Sequence, residues 1–160
     1  MYEFEVPGKI TGKARPRVNT LTGRAYTPGN TKDYEMLIKQ YFKVKYPRYE
    51  TLEGRIIIKI EAYFEPPKST SKKQTEQMLE NKISPTKKPD IDNIIKIVLD
   101  ALNKMAFRDD SQVTKIEVEK IYGPVEKIKV KIDKIRVNIP IKKGIVENEI
   151  YRKNHINHIF

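Results

Sequence analysis

From about Asp92 to Asn103 the apolar residues Ile91, Ile94, Ile95, Val98, Leu99 and Leu102 return at i, i+3, i+4 and i+7, the spacing of one buried helix face, while segments on both sides alternate with a period of two. The alternating or β-branched stretches are 2–6, closed by Pro7-Gly8, then 54–65, closed by Pro66-Pro67, and 112–122 and 127–139, separated at Gly123-Pro124. A second helix is expected to start near Asn30 or Thr31 as its cap and to run to Pro47, with Leu37, Ile38, Tyr41 and Phe42 inward. Ser71 followed by Gln74 has the form of a capping box for a short polar helix. The expectation is a single α+β domain over 1–139, a mixed or mainly antiparallel sheet backed by helices 31–46 and 92–103, followed by a polar C-terminal tail, 140–160. The last two strands read as a β-hairpin. In the second of them the apolar positions change phase between 132 and 135, which predicts a bulge or break near Asp133-Lys134.

Composition narrows the chemistry. There is no cysteine, and both histidines, His155 and His158, lie in the last six of 160 residues. Disulfides, thiolate chemistry and Cys/His zinc sites are therefore excluded, and a histidine triad is disfavoured. The opening MYEFEVPGK has acids where a signal peptide needs a basic start, and no apolar run is long enough for a membrane span, so a soluble, cytoplasmic protein is expected. Lysine and arginine number 32 against 21 acids, a net charge of +11 that favours a polyanionic partner, nucleic acid before anionic membrane. Residues 8–30 carry Lys9, Lys13, Arg15, Arg17 and Arg24 with no acid, and Thr22-Gly23 suggests a turn within a basic hairpin or loop. Lys13, Arg15 and Arg17 are candidate phosphate contacts, and Lys87 and Lys88 could hold DNA near the acids that follow; the plainer alternative for both groups is a solvated loop. Tyr26, Tyr34 and Tyr41 suit stacking on bases or ordinary packing.

Against that positive background, five of the seven aspartates, Asp90, Asp92, Asp100, Asp109 and Asp110, fall within 21 residues. At ~100° per residue Asp92, Lys96, Asp100 and Asn103 share one arc of the predicted helix, opposite its apolar face. Helix capping and an i, i+4 ion pair explain part of this. Asp109-Asp110 stands at the end of a loop where no helix is expected to need a cap, so neutralisation by a divalent cation is the alternative. With thiolate absent and imidazole confined to the tail, an all-oxygen Mg²⁺ site is the metal chemistry available.

The runs KPDIDNIIKIVLDAL and RDDSQV strongly resemble the RusA-type endodeoxyribonucleases, Holliday-junction resolvases of phages and prophages whose pattern reads roughly DxDNxxKxxxDAL, then DDxQV. GKARPR, the YTP after a glycine and the following YE are similar to that family's N-terminal pattern, and the likeness extends over most of residues 5–122. The resemblance implies Asp90, Asp92 and Asp110 as metal-binding catalytic acids and Lys96 as the catalytic lysine; Asn93, Asp100, Asp109 and Gln112 match positions of less certain role. It also implies a Mg²⁺-dependent endonuclease, Mn²⁺ being a possible substitute, that resolves four-way junctions by paired symmetric nicks in recombination and repair. Two nicks call for two active sites and hence a homodimer. The alternatives are a nuclease of broader branched-DNA specificity, acting on flaps and forks, and a non-catalytic nucleic-acid-binding protein.

Phosphodiester hydrolysis needs an activated water, neutralisation of the transition-state charge and a stabilised leaving oxygen, which carboxylate-held Mg²⁺ and a nearby lysine are suited to supply. One distance is problematic. A helix from Asp92 to Asn103 separates its ends by about 16–18 Å, and Asp110 follows near the far end. Either KMAFR doubles back along the helix, or an antiparallel two-fold packing brings Asp110 of one chain to Asp92 of another.

Overall fold

The computed structural model describes residues 1–15 and 17–135. Four strands form one mixed sheet in the order β1-β6-β4-β5, where β1 is Tyr2–Pro7, β4 Ile56–Phe64, β5 Val113–Tyr122 and β6 Lys127–Lys134. β4 is antiparallel to β6 and parallel to β5. Two-residue strands β2 (Arg17–Val18) and β3 (Ala25–Tyr26) pair, so of the two alternatives for the basic segment, hairpin or loop, the hairpin is the one formed. Helices α1 (Gly29–Lys45) and α3 (Ile91–Leu102) pack side by side on one face of the sheet. The polar α2 (Lys72–Leu79) is capped by Ser71, whose Oγ accepts from Gln74 N, as anticipated.

The hairpin expectation is overturned. β5 and β6 do not pair, because β4 lies between them. β4 alternates five fully buried residues with more exposed ones, and its parallel partner β5 is reached through α3, the long crossover that parallel strands require. The Gly123-Pro124 connection then passes over the end of β4, where Gly123 N donates to Phe64 O at 2.9 Å. A Cβ at Gly123 would stand 2.9 Å from Tyr63 Cδ1, so only glycine fits the passage. β6 ends at Lys134, where the apolar alternation changes phase.

Both helix faces are turned relative to the expectation. α3 buries Ile94, Ile97, Val98, Ala101 and Leu102, leaving Ile95 and Leu99 half-buried and Ile91 42% exposed. α1 starts two residues early, without a side-chain cap, and buries Thr31, Tyr34, Ile38 and Phe42. It lies between β1 and α3, so its inward arc is set by two neighbours at once. Tyr34, considered for base stacking, is core; Tyr41 is exposed. The C-terminus of α1 is strapped to β1 by the Tyr46 hydroxyl, which accepts from Glu3 N and donates to Glu3 O, each at 2.9 Å.

The opposite face of the sheet is not covered by α1 or α3, and α2 touches β5 there only near its closing end, with Leu79 beside Tyr63 and Ile121. Its lysines and carboxylates pair instead: Lys129–Glu3 at 2.8 Å, Lys127–Glu5 at 2.9 Å, Lys59–Glu61 at 2.9 Å and Lys115–Glu117 at 2.7 Å. Charge is balanced there. The boundary at 139/140, the 140–160 tail, His155 and His158 lie outside the described residues.

Candidate active site

The chain leaves β1 and lays residues 8–15 across the start of α3. Lys13 N donates to Asn93 O at 2.9 Å, and a Cβ on Gly12 would meet Pro89 Cβ at 2.7 Å and Asn93 Cβ at 2.9 Å. Glycine therefore lets this basic segment seat directly on the helix. Lys13 Nζ is held between Glu35 Oε1 of α1 at 2.5 Å and Asp100 Oδ2 of α3 at 2.6 Å. Burial works against its charge, but the hydrogen bonds to Asp100 and Glu35 outweigh it and hold the ammonium pKa above the ordinary lysine value. Lys13, expected to contact phosphate, has its charge already answered by two carboxylates. Asp100, of unassigned role, is one of them. Arg15 and Arg17 are exposed, with no ion pair among the described residues.

Asp90 occupies the N-cap position of α3 in extended conformation, yet its carboxylate makes no capping hydrogen bond and is exposed to solvent. Capping thus does not account for it. Asp92 does form the ordinary i, i+4 pair, Lys96 Nζ to Asp92 Oδ2 at 3.3 Å, both side chains about 60% exposed. Asp90 and Asn93 line an open groove of about 690 Å³ with Lys9, Lys13, Asn30 and Lys88. Lys88 reaches solvent at this groove. Lys87 bends away, its Nζ over the Phe64 ring at 5.3 Å and donating to Glu65 O at 3.4 Å. Lys120 of β5, which the sequence did not single out, lies over the same ring at 5.4 Å and donates to Lys87 O.

The remaining acids stand at the other end of α3. Asn103 closes the helix, Leu52 N donates to Ala106 O at 2.9 Å, and the chain enters a 3-10 turn, Asp110–Gln112, before β5. The expectation that Asp109-Asp110 needs no cap is incorrect. Asp109 caps this turn: its Oδ1 accepts from Ser111 N at 3.0 Å, while Gln112 Oε1 accepts from Asp109 N at 3.1 Å. The hydrogen bonds from the Ser111 side chain and backbone hold the Asp109 carboxyl below its ordinary pKa. Gln112 also donates to Gly54 O at 3.4 Å, tying the turn to the approach of β4. The D-x-x-Q spacing was a readable capping signal. Asp110 is exposed.

KMAFR does not double back. Val113 pairs beside Ile56 at the opening of β4, whereas α3 begins near the closing end, where Lys87 reaches Glu65 O. Nine residues of β4 span about 26–30 Å, so Asp90 and Asp110 of one chain stand at opposite ends of the sheet. Consistently, among the described residues no three Asp, Glu or His side chains gather closely enough to hold a metal ion. The donor chemistry suits Mg²⁺, since Asp90, Asp92 and Asp110 are exposed hard oxygen ligands, but one chain by itself does not assemble them.

Two comparisons bear on what these residues are for. The chain is 34% identical over 140 residues to the uncharacterized protein YqaN of Bacillus subtilis (strain 168), a match covering 83% of this chain and 96% of that protein. The family model for endodeoxyribonuclease RusA matches residues 7–133, from the last residue of β1 to the last but one of β6 and across both ends of α3. With the basic arm, the uncapped Asp90 and the second acidic end all inside that match, the chain belongs to the RusA endodeoxyribonuclease family.

Proposed function

We propose that this chain is a Mg²⁺-dependent, structure-selective endonuclease that resolves four-way DNA junctions by paired nicks in recombination and repair, working in the cytoplasm as a homodimer whose two sites are each shared between chains. Asp90 and Asp92 of one chain and Asp110 of the other would hold the metal. The observation that carries this reading is the separation of Asp90 from Asp110 by the length of β4, although both lie within the family match. Bound there, Mg²⁺ (or Mn²⁺) would supply charge neutralisation at the scissile phosphate and a more acidic water.

The protein's own groups do the rest. Lys96 is one turn from Asp92 and solvent-exposed, so its ammonium is able to leave that carboxylate for a phosphate or leaving oxygen. Lys88 and Lys9 line the groove beside Asp90, and Arg15 and Arg17 extend the positive surface along the arm that Lys13 pins. These contacts would position the DNA backbone without reading its bases.

The test is nicking of a four-way junction, a matched duplex and a flap, with and without Mg²⁺, joined to mixing of an Asp92→Asn chain with an Asp110→Asn chain. Each variant alone should be inactive, and the mixture should regain nicking because one intact cluster forms per heterodimer. A dead mixture overturns the shared site. Equal cleavage of the flap and the junction identifies a nuclease of broader specificity, and metal-independent binding without cleavage identifies a binding protein.

A further inference from the structure

Contacts to phosphates do not tell one DNA form from another, since every duplex arm presents them. Selectivity for a branch has to come from a group that meets what a branch alone exposes, the faces of base pairs left without a stacking neighbour at the exchange point. Such a face is broad and apolar, so the group that answers it is an apolar side chain left free in the unbound protein. Among the described residues the most exposed large hydrophobic side chain is Leu21, 94% accessible, at the tip of the β2–β3 hairpin. Val18, which opens the turn and pairs across the hairpin with Ala25, is exposed as well.

A single exposed leucine is ordinary on a protein surface. Three features set this one apart. The first is rigidity. Asn19 N donates to Arg24 O at 2.9 Å, Gly23 N donates to Asn19 O at 2.8 Å, and Asn19 Oδ1 accepts from Leu21 N at 2.9 Å and from Thr22 N at 3.2 Å. Gly23, at φ 66°, supplies the left-handed residue that closes the turn. Leu21 is thus presented on a backbone with little freedom left to lose on binding. The second feature is charge. Arg15, Arg17 and Arg24 are exposed on the hairpin and its stem, in a segment, 8–30, without an acid. Such surroundings seat a polyanion, and an apolar side chain among them meets bases, as apolar wedges between base steps do.

The third feature is anchorage. The hairpin continues the arm that Lys13 pins to Glu35 and Asp100 beside the Asp90 groove. Lys13 and Leu21 are eight positions apart, at most about 26–29 Å of chain, or roughly eight base-pair steps at about 3.4 Å each. Leu21 and the groove therefore reach the same stretch of one DNA molecule.

We propose that Leu21 is the branch-sensing residue of this chain, an apolar wedge that sets against the unstacked base pairs at the exchange point while the arginines beside it hold the backbone. The inference deepens the function proposed above and rests on its branched-DNA substrate. Leu21 is a specificity determinant and takes no part in hydrolysis. On a continuous duplex the same contact would first have to open a stacked step, whereas a branch point presents the step already open.

The test uses the full chain without Mg²⁺, so that no strand is nicked, and a synthetic four-way junction carrying a fluorescent adenine analogue next to the exchange point, whose emission rises when its stacking is lost. The wild-type chain should raise the emission. Leu21→Ser should raise it little and should weaken junction binding about ten-fold, the effect of withholding a leucine side chain from an apolar contact. Matched-duplex affinity, Tm and the salt slope should stay unchanged, because the side chain is in solvent and meets no phosphate. Leu21→Met, apolar and of similar volume, should restore both junction readings. Equal losses on junction and duplex would make Leu21 a general DNA contact, and wild-type affinity or emission in Leu21→Ser would make it a solvated turn residue; either result overturns the wedge while the branched-DNA reading stands. A wild-type chain with no preference for the junction over the duplex overturns that reading, and the wedge with it.

Discussion

The two ends of α3 carry acids of opposite kinds. At the opening end Asp90 sits where a cap belongs and does not cap, and around it a glycine-seated arm, Lys9 and Lys88 gather positive charge. At the closing end Asp109 is fully occupied in holding a 3-10 turn, and its neighbour Asp110 is left facing solvent. The lesson is that adjacency in sequence does not make a catalytic pair. Within Asp109-Asp110 one carboxylate orders the backbone and the other is available for chemistry, and the available one is distant from Asp90 in its own chain.

The largest effects should separate these carboxylates by what they do. Asp90→Asn and Asp110→Asn should each lower the junction nicking rate by about 10²–10³-fold or more, the range for losing a group that stabilises transition-state charge, while junction binding persists or tightens. Asp109→Asn should keep most of the rate and of Tm, because an asparagine Oδ1 still accepts from Ser111 N, whereas Asp109→Ala should lower Tm by about 2–4 °C, as for a lost cap. Single-turnover cleavage with parallel melting curves decides it. Equal loss of rate in Asp109→Asn and Asp110→Asn would break the distinction drawn here.

A smaller effect is expected at the clamp between the ends. Lys13→Met leaves Glu35 and Asp100 unanswered, so Tm should fall and the arm should lose its anchorage to α1 and α3. DNA affinity should drop with it, but the salt dependence of binding should keep its slope, because Lys13 is not itself counted among the phosphate contacts. The sign with pH follows from the raised pKa. The stabilisation is complete below the unfolded lysine value of about 10.4 and is lost as pH rises through the higher folded value. The Tm difference between wild type and Lys13→Met should therefore be constant at neutral to mildly alkaline pH and shrink above about 10.4. A difference that stays constant well above that pH would remove the ion pairs as its cause.

Local rules made much of this legible. Alternation located β1, β4, β5 and β6, Ser71 with Gln74 announced α2, and the D-x-D-N run located the acids at the start of α3. What stayed hidden depends on which elements meet. The β5–β6 hairpin was a reasonable reading of two strands at a Gly-Pro turn, yet β4 is central and takes both as partners. The inward faces of α1 and α3 turned because each helix touches the other as well as the sheet, which periodicity alone does not register. Lys13 read as a phosphate contact because its two carboxylate partners lie 22 and 87 positions away.

The smallest effects should distinguish the basic arm from the balanced sheet face, and they follow from how charge is distributed. The excess of lysine and arginine is chain-wide, so composition does not say which lysines meet DNA. Lys129 is engaged with Glu3 on a face where lysines alternate with acids, so a phosphate approaching it would meet carboxylates at the same range. Arg17 is exposed on β2, with no acid in the segment 8–30 that carries it. Counterion release counts only cations that meet phosphates; hence Arg17→Ala should reduce the slope of log K against log salt by about 0.9 on duplex arms. Lys129→Ala should leave both slope and junction affinity unchanged, and exposed ion pairs of this kind contribute little to Tm. Binding isotherms at four or more salt concentrations measure both slopes, and an equal reduction in the two variants would move the DNA path onto the sheet face.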